Sequence, residues 1–183
     1  MSSVEEIGDS MMNEKMLDAI NEQIKWELYS AYLYLSMSTW FHSIGLQGFA
    51  NWERMQAMEE RDHAMKLYDY VLFRGETVVL QSIDAPPSLW ESPEKAFEFQ
   101  YAHEQDVTAM IHNLVEVATE VRDHATYNML QWFVDEQVEE EDSARTILEK
   151  LKAVSGETGK GVLFMIDRDL AARVYDSPVT PSE

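Results

Sequence analysis

Three spans of this chain, positions 9–44, 49–74 and 94–155, contain neither glycine nor proline and carry apolar residues at every third or fourth position. That spacing predicts long amphipathic α-helices rather than strands. A first helix is predicted from about Ser10 to Phe41, ending before Gly45, with the inward stripe Leu17, Ile20, Ile24, Glu27, Leu28, Ala31, Tyr34, Leu35 and Ser38. A second runs from about Leu46 to Arg74 and stops at Gly75. Its stripe is Phe49, Trp52, Gln56, Glu60, His63, Leu67, Tyr70 and Val71. Positions 75–92, with Val78-Val79-Leu80 and Pro86-Pro87, read as a connection of unusual length. The second helix would be about 43 Å long, and the connection, fully extended, reaches roughly 60 Å. It can therefore run the length of the molecule and leave the second and third helices parallel.

The third helix has a clear start, because Ser92 is a good N-cap, Pro93 suits the first helical position and Glu94 favours the positive end of the dipole. Its stripe reads Phe97, Gln100, Glu104, Val107, Ile111, Leu114, Ala118 and Val121. A break near Arg122-Asp123-His124 leads to a fourth helix, about Ala125 to Val154, with the stripe Leu130, Phe133, Val134, Gln137, Glu140, Ala144, Leu148 and Leu151. Asp123 is placed to cap it, or with His124 to line a channel. After a glycine-containing break from Ser155 to Gly161, a short fifth helix is predicted from about Val162 to Tyr175. The fold class is all-α, a four-helix bundle with a long crossover between helices 2 and 3 and a short fifth helix. Residues 10–175 form one domain, and residues 1–9 and 176–183 are expected to be flexible ends.

Each long helix thus carries an acid inside an apolar seam: Glu27, Glu60 with His63, Glu104, and Glu140 with Gln137. A buried carboxylate without a partner is costly enough that it is normally paired, neutralised or bound to metal. Glu60 and His63 leave the same helix face one turn apart, which is half of what a carboxylate-bridged di-iron site needs. No lysine or arginine falls on these stripes to supply the counter-charge. Oxygen-rich ligands with one imidazole suit iron, manganese or magnesium.

Composition narrows the picture further. Of 183 residues, 34 are acidic and 14 are lysine or arginine, a net charge of −20, which argues against nucleic acid as a partner and for cations. There is no cysteine, so disulfides, thiolate metal centres and an appended rubredoxin-like domain are excluded. The acidic start, Met1-Ser2-Ser3-Val4-Glu5-Glu6, lacks the pattern of an export signal. No apolar run reaches membrane-spanning length. The expectation is a soluble, cytoplasmic protein with no membrane partner.

The residues around these acids resemble the ferroxidase-centre motifs of the ferritin family, specifically its non-haem bacterial and archaeal type. The resemblance covers roughly residues 10–173 and is carried by Trp26-Glu27 with Tyr34, Glu59-Glu60-Arg61-Asp62-His63, His103-Glu104, and the run from Gln131 to Glu141. It implies that Glu27, Glu60 and His63 hold one iron and that Glu104 and Glu140 hold a second, with Glu60 bridging and Gln137 close by. It also implies a third site built from Glu59, Glu136, Glu139 and Glu140. The implied activity is that of a ferroxidase, oxidising Fe(II) with dioxygen or hydrogen peroxide and depositing ferric mineral in a hollow shell of 24 identical subunits. Tyr34 either supplies an extra electron or packs in the core. The fifth helix, through Leu163, Ile166 and Leu170, would line a four-fold axis. Val107 stands three residues after Glu104, so the second Glu-x-x-His of bacterioferritins and rubrerythrins is absent and the site is asymmetric. Arg61 follows the bridging Glu where bacterioferritins have a haem-ligating Met, and so no haem is expected. The alternative is a non-storing di-iron peroxidase or oxygenase of the same bundle type, against which the extra acids Glu59, Glu136 and Glu139 speak.

Overall fold

The computed structural model of the protein describes residues 12–154 and 159–177. It contains five helices: α1 (Glu14–Ser43), α2 (Gln47–Phe73), α3 (Pro93–Glu120), α4 (His124–Lys152) and α5 (Gly159–Leu170). Among the described residues there is no strand, and no helix is long and apolar enough to cross a membrane.

Local chemistry sets the helix ends. The α1 start lies at Glu14 rather than Ser10, because Asn13 accepts from the Lys15 N–H and the Met12 N–H is held 3.0 Å from Glu76 Oε1. Gly45 and Gly75 close α1 and α2 at φ of 83° and 80°, a conformation that glycine adopts without steric cost. Ser92 caps α3 through the Lys95 N–H with Pro93 in the first turn, as its sequence predicts. Asp123 caps α4, accepting from Thr126 N at 3.0 Å, while Arg74 at the end of α2 lies 3.1 Å from the same carboxylate.

The crossover climbs beside α1. Glu76 meets Met12 at its foot, the Val79 N–H donates to Asn21, Ser36 donates to the Pro87 carbonyl, and Trp90 packs edge-on against Trp40 at the top. This ascent delivers α3 to the end where α2 began, so α2 and α3 run parallel. Lys15 pairs with Glu120 at one end and Phe41 meets Phe97 at the other, which makes α1 and α3 antiparallel.

Two apolar clusters fill the bundle. The upper one joins Leu33, Met37, Phe41, Phe49, Phe97, Ile147, Leu148 and Leu151, and the lower one joins Met16, Ile20, Leu67, Val71, Ile111, Leu114, Leu130 and Phe133. Each fully buried side chain of this size contributes about 1.5–3 kcal/mol. A waist of buried polar residues separates the two: Glu27, Gln56, Glu60, His63, Gln100, Glu104, Gln137 and Glu140.

The fifth helix departs from its expected range. It begins at Gly159 and ends at Leu170, where tightened turns to Asp167, Asp169 and Leu170 carbonyls close it. Its Ile166 and Leu170 pack into the upper cluster with Leu163 beside them, while Val162, Phe164 and Met165 are exposed. Gly48 permits this docking. Its N–H and that of Phe49 donate to Asp167 at 2.7 and 3.1 Å, and a Cβ at Gly48 would stand 1.6 Å from the Asp167 carbonyl oxygen. Beyond α5 the chain does not continue as helix to Tyr175. It follows α2, with Asn51 donating to the Arg173 carbonyl and Tyr175 and Ser177 donating to Asp62. Of the expected flexible ends, 1–9 and 178–183 lie outside the described residues, while at 176–177 Ser177 is held by its hydrogen bond to Asp62.

Candidate metal centre

The waist receives one face from each long helix. Glu27 projects from α1, Glu60 and His63 from successive turns of α2, Glu104 from α3, and Gln137 and Glu140 from successive turns of α4, and all six are buried. Three sets of side chains bring ligating atoms within 4.8 Å of one another: Glu27, Glu60 and His63; Glu60, Glu104 and Glu140; and His63, Glu136 and Glu140. Glu60 is common to the first two, and His63 and Glu140 join the third to both.

Hydrogen bonds hold one side of this array and leave the other open. Gln23 donates to Glu27 Oε1 at 2.8 Å, Gln56 donates to Glu140 Oε2 at 2.5 Å, and Gln137 donates to Glu104 Oε2 at 3.3 Å. Tyr34 donates its hydroxyl proton to Glu104 Oε1. His63 Nδ1 lies 3.6 Å from Glu60 and 3.9 Å from Glu27, with the ring walled edge-on by Trp132 and Phe133. Glu27 Oε2, Glu60 Oε1 and His63 Nε2 are buried with no hydrogen-bond partner. Among the described residues no lysine or arginine pairs with Glu27, Glu60, Glu104 or Glu140.

Such crowding raises the carboxyl pKa values. Burial pushes Glu104 up to about 7, against the hydrogen bonds from Tyr34 and Gln137, and it pushes Glu140 up to about 8, reinforced by Glu104. Glu60 moves well above the usual range in the same way, through burial and then repulsion from Glu104, Glu27 and Glu140. Four converging carboxylates and one imidazole, with inward atoms unpartnered, fit hard or borderline divalent ions bridged by a shared Glu.

The residues of the implied third site lie on the flank of the centre. Glu136 joins His63 and Glu140 in one of the three sets, whereas Glu59 and Glu139 belong to none. Glu59 instead pairs with Arg173, whose Nη2 is 2.5 Å from Glu59 Oε2, and Glu139 is exposed. Arg173 also donates to Gln56 Oε1 and stacks 3.8 Å over the Trp52 ring. Sequence reasoning did not single out this arginine, since it sits in an aperiodic stretch 114 positions from its partner. Glu53, two turns before Glu60 on α2, is fully buried. His103 packs against α1, with Nε2 2.7 Å from Ser30 Oγ and its ring at the edge of Tyr34. Burial lowers its pKa to about 4, which keeps it neutral.

Comparison with known proteins identifies the family. Residues 17–154 match the ferritin-like domain family. The chain is 40% identical over 166 residues to the bacterial non-heme ferritin of Staphylococcus saprophyticus, covering 91% of this chain and 98% of that protein. It is 42% identical over 163 residues to the bacterial non-heme ferritin of Bacteroides fragilis, covering 89% and 100%. Among solved structures, the open-pore ferritin of the hyperthermophilic archaeon Archaeoglobus fulgidus superposes with a TM-score of 0.87 at 53% identity, over 89% of this chain and 99% of that one. With its four acid-bearing helices, its crossover and a match running through all four, the chain belongs to the ferritin family.

Proposed function

We propose that this protein stores iron: it oxidises Fe(II) at the paired site in its own bundle and passes Fe(III) to a mineral inside a homo-oligomeric shell of 24 subunits. The observation that carries the reading is the pair of buried ligand sets sharing Glu60, with Glu27 Oε2, Glu60 Oε1 and His63 Nε2 left without hydrogen bonds. In this reading Glu27, Glu60 and His63 bind one ferrous ion, Glu104 and Glu140 the other, and Glu60 bridges. Gln137 orients Glu104, and Glu59, Glu136, Glu139 and Glu140 receive a third ion on the way out. Two ferrous ions give up one electron each: with dioxygen the two electrons and two protons leave as hydrogen peroxide, and with hydrogen peroxide they leave as two waters. Iron is substrate and cargo here, and no haem takes part. In the same reading Tyr34, whose hydroxyl donates to Glu104, would supply a further electron to dioxygen when its reduction needs more than the two from iron, the phenol proton passing to that carboxylate. Residues 10–175 act as one ferritin-like unit, in the cytoplasm.

Carboxylates serve both halves of the task. They are hard donors that favour Fe(III), and they exchange ligands readily enough to release it. Aerobic addition of Fe(II) to the metal-free protein, followed by ferric absorbance and by size-exclusion chromatography, tests the reading. Fast oxidation of about two irons per chain and slower uptake into a large particle are expected, with the fast phase lost in Glu60→Ala and His63→Ala. Oxidation no faster than in buffer would refute the ferroxidase assignment. Fast oxidation in a small species that takes up no further iron would favour the non-storing di-iron peroxidase or oxygenase.

A further inference from the structure

A chain of contacts runs outward from the paired site and ends on a cation. Gln56 donates through Nε2 to Glu140 Oε2 at 2.5 Å, while its carbonyl Oε1 accepts from Nη1 of Arg173. The other arm of that guanidinium, Nη2, lies 2.5 Å from Glu59 Oε2. Glu140 of the paired site and Glu59 on the flank are therefore joined through one amide and one guanidinium. With side chains 21% and 13% exposed, Arg173 and Glu59 are largely shielded from the solvent screening that weakens a surface pair. Among the described residues Arg173 is the only lysine or arginine in an ion pair with Glu59, Glu136, Glu139 or Glu140.

The segment after α5 holds this arginine in place from both sides. Before it, Asn51 donates to the carbonyls of Leu170 and Arg173 at 3.4 and 2.9 Å. After it, Tyr175 and Ser177 donate to Asp62. The guanidinium itself stacks 3.8 Å over the Trp52 ring. A cation is thus delivered to one carboxylate of α2 by a stretch of chain fastened along that helix. The same carboxylate stands beside the acids that share an ion on the flank. Burial raises the carboxyl pKa values of Glu136 and Glu140, and repulsion from Glu59 adds to both. A divalent ion drawn to Glu59 by this group meets a like charge on the same carboxylate, at a separation where repulsion is strong.

We propose that Arg173 is the resident counter-ion of Glu59 and gates the third position: an ion moving out of the paired site takes Glu59 by displacing this guanidinium. The inference rests on the storage reading in one respect, that a third ion binds at Glu59, Glu136, Glu139 and Glu140. Displacement also withdraws the donor from Gln56 Oε1 and frees the amide that holds Glu140. Arrival of an ion on the flank then loosens the ligand it has just left, and the step runs outward.

Zn(II) titration of the assembled metal-free protein, wild type against Arg173→Gln and Arg173→Lys, provides the first test. A pH of about 8 keeps Glu59 ionised in Arg173→Gln, where the guanidinium no longer opposes the upward push of burial. The third ion is expected to bind about tenfold tighter in Arg173→Gln, and within about threefold of wild type in Arg173→Lys, which keeps the charge. Wild-type crystals soaked in Zn(II) provide the second test, which does not depend on how a variant folds. An ion on Glu59 is expected with the guanidinium moved beyond about 4 Å from that carboxylate. Equal third-ion affinity in wild type and Arg173→Gln, or an ion on Glu59 with the ion pair intact, would overturn this inference alone and leave Arg173 as a fastener of the tail. A filled paired site with no ion on Glu59 in any of the proteins would overturn the third position and this inference together. Absence of ions at the paired site as well would overturn the storage reading with them.

Discussion

The raised carboxyl pKa values in the waist predict that metal binding expels protons, and the amount follows from the structure. At pH 6 a group with a pKa of about 7, as at Glu104, is protonated by about 10 to 1, and one of about 8, as at Glu140, by about 100 to 1. Both protons must leave before the carboxylates can act as ligands. Two protons displaced make the apparent affinity rise about a hundredfold per pH unit below pH 7, and the slope flattens above about pH 8. Glu60, shifted in the same direction, steepens the lower part of the curve. The assay is calorimetric titration of the redox-inert ion Zn(II) into the metal-free protein between pH 5.5 and 9, each point repeated in two buffers of different ionisation enthalpy. The buffer dependence of the heat gives the proton count directly. About two or more protons per chain are expected at pH 6, falling towards zero by pH 9. A count below about half a proton at pH 6 would mean that Glu104 and Glu140 are already ionised, and the argument from burial would be refuted.

Three other outcomes follow from particular contacts. In the metal-free protein Glu104 and Glu140 stay neutral when folded but ionise near pH 4.5 when unfolded, so the folded form binds more protons and stability falls as pH rises from about 4.5 to 8. The loss amounts to several kcal/mol, about 1.4 kcal/mol for each tenfold difference in proton affinity between the folded and unfolded chain, and calorimetric Tm values that rise across this range would contradict it. Tyr34→Phe removes the donor to Glu104 Oε1 and raises that carboxyl further, so Zn(II) affinity at pH 6 should drop about tenfold with the fold retained; an unchanged affinity would show that the hydroxyl does not hold Glu104. Gly48→Ala places a methyl group against the Asp167 backbone and should undock α5, costing more than about 2 kcal/mol. Faster proteolysis after Val154 and a lower Tm are the readouts, and wild-type resistance to protease would count against the docking described.

Much of the fold was legible because glycine and proline are few and sit at real boundaries. Gly45, Gly75 and Ser92-Pro93 mark helix ends in the structure as they do in the sequence. The waist was legible for a related reason: Glu27, Glu60, Glu104 and Glu140 break apolar stripes, and buried charge in a seam demands an explanation. The fifth helix was displaced because Gly159 and Gly161 read as a break, yet packing of Ile166 and Leu170 and capping of α2 by Asp167 override weak local propensity. Arg173 escaped notice because its partners, Gln56 and Glu59, are remote in sequence and its own segment has no period. Glu53 lies on the face of Glu60, two turns away, but helical geometry alone does not separate a buried acid from a solvated one at the edge of a stripe.

The waist also sets how the molecule comes apart. An ordinary helical bundle opens from its frayed ends, with slowest amide exchange at mid-helix. Here the midpoint of every long helix is where apolar packing gives way to acids, and the upper and lower clusters are the cohesive parts on either side. In the metal-free chain the amides around Glu27, Glu60, Glu104 and Glu140 should exchange sooner than those a few turns above or below. A metal ion held there would act as a splint across the middle of the bundle, and the metal-free chain is softest where its acids converge.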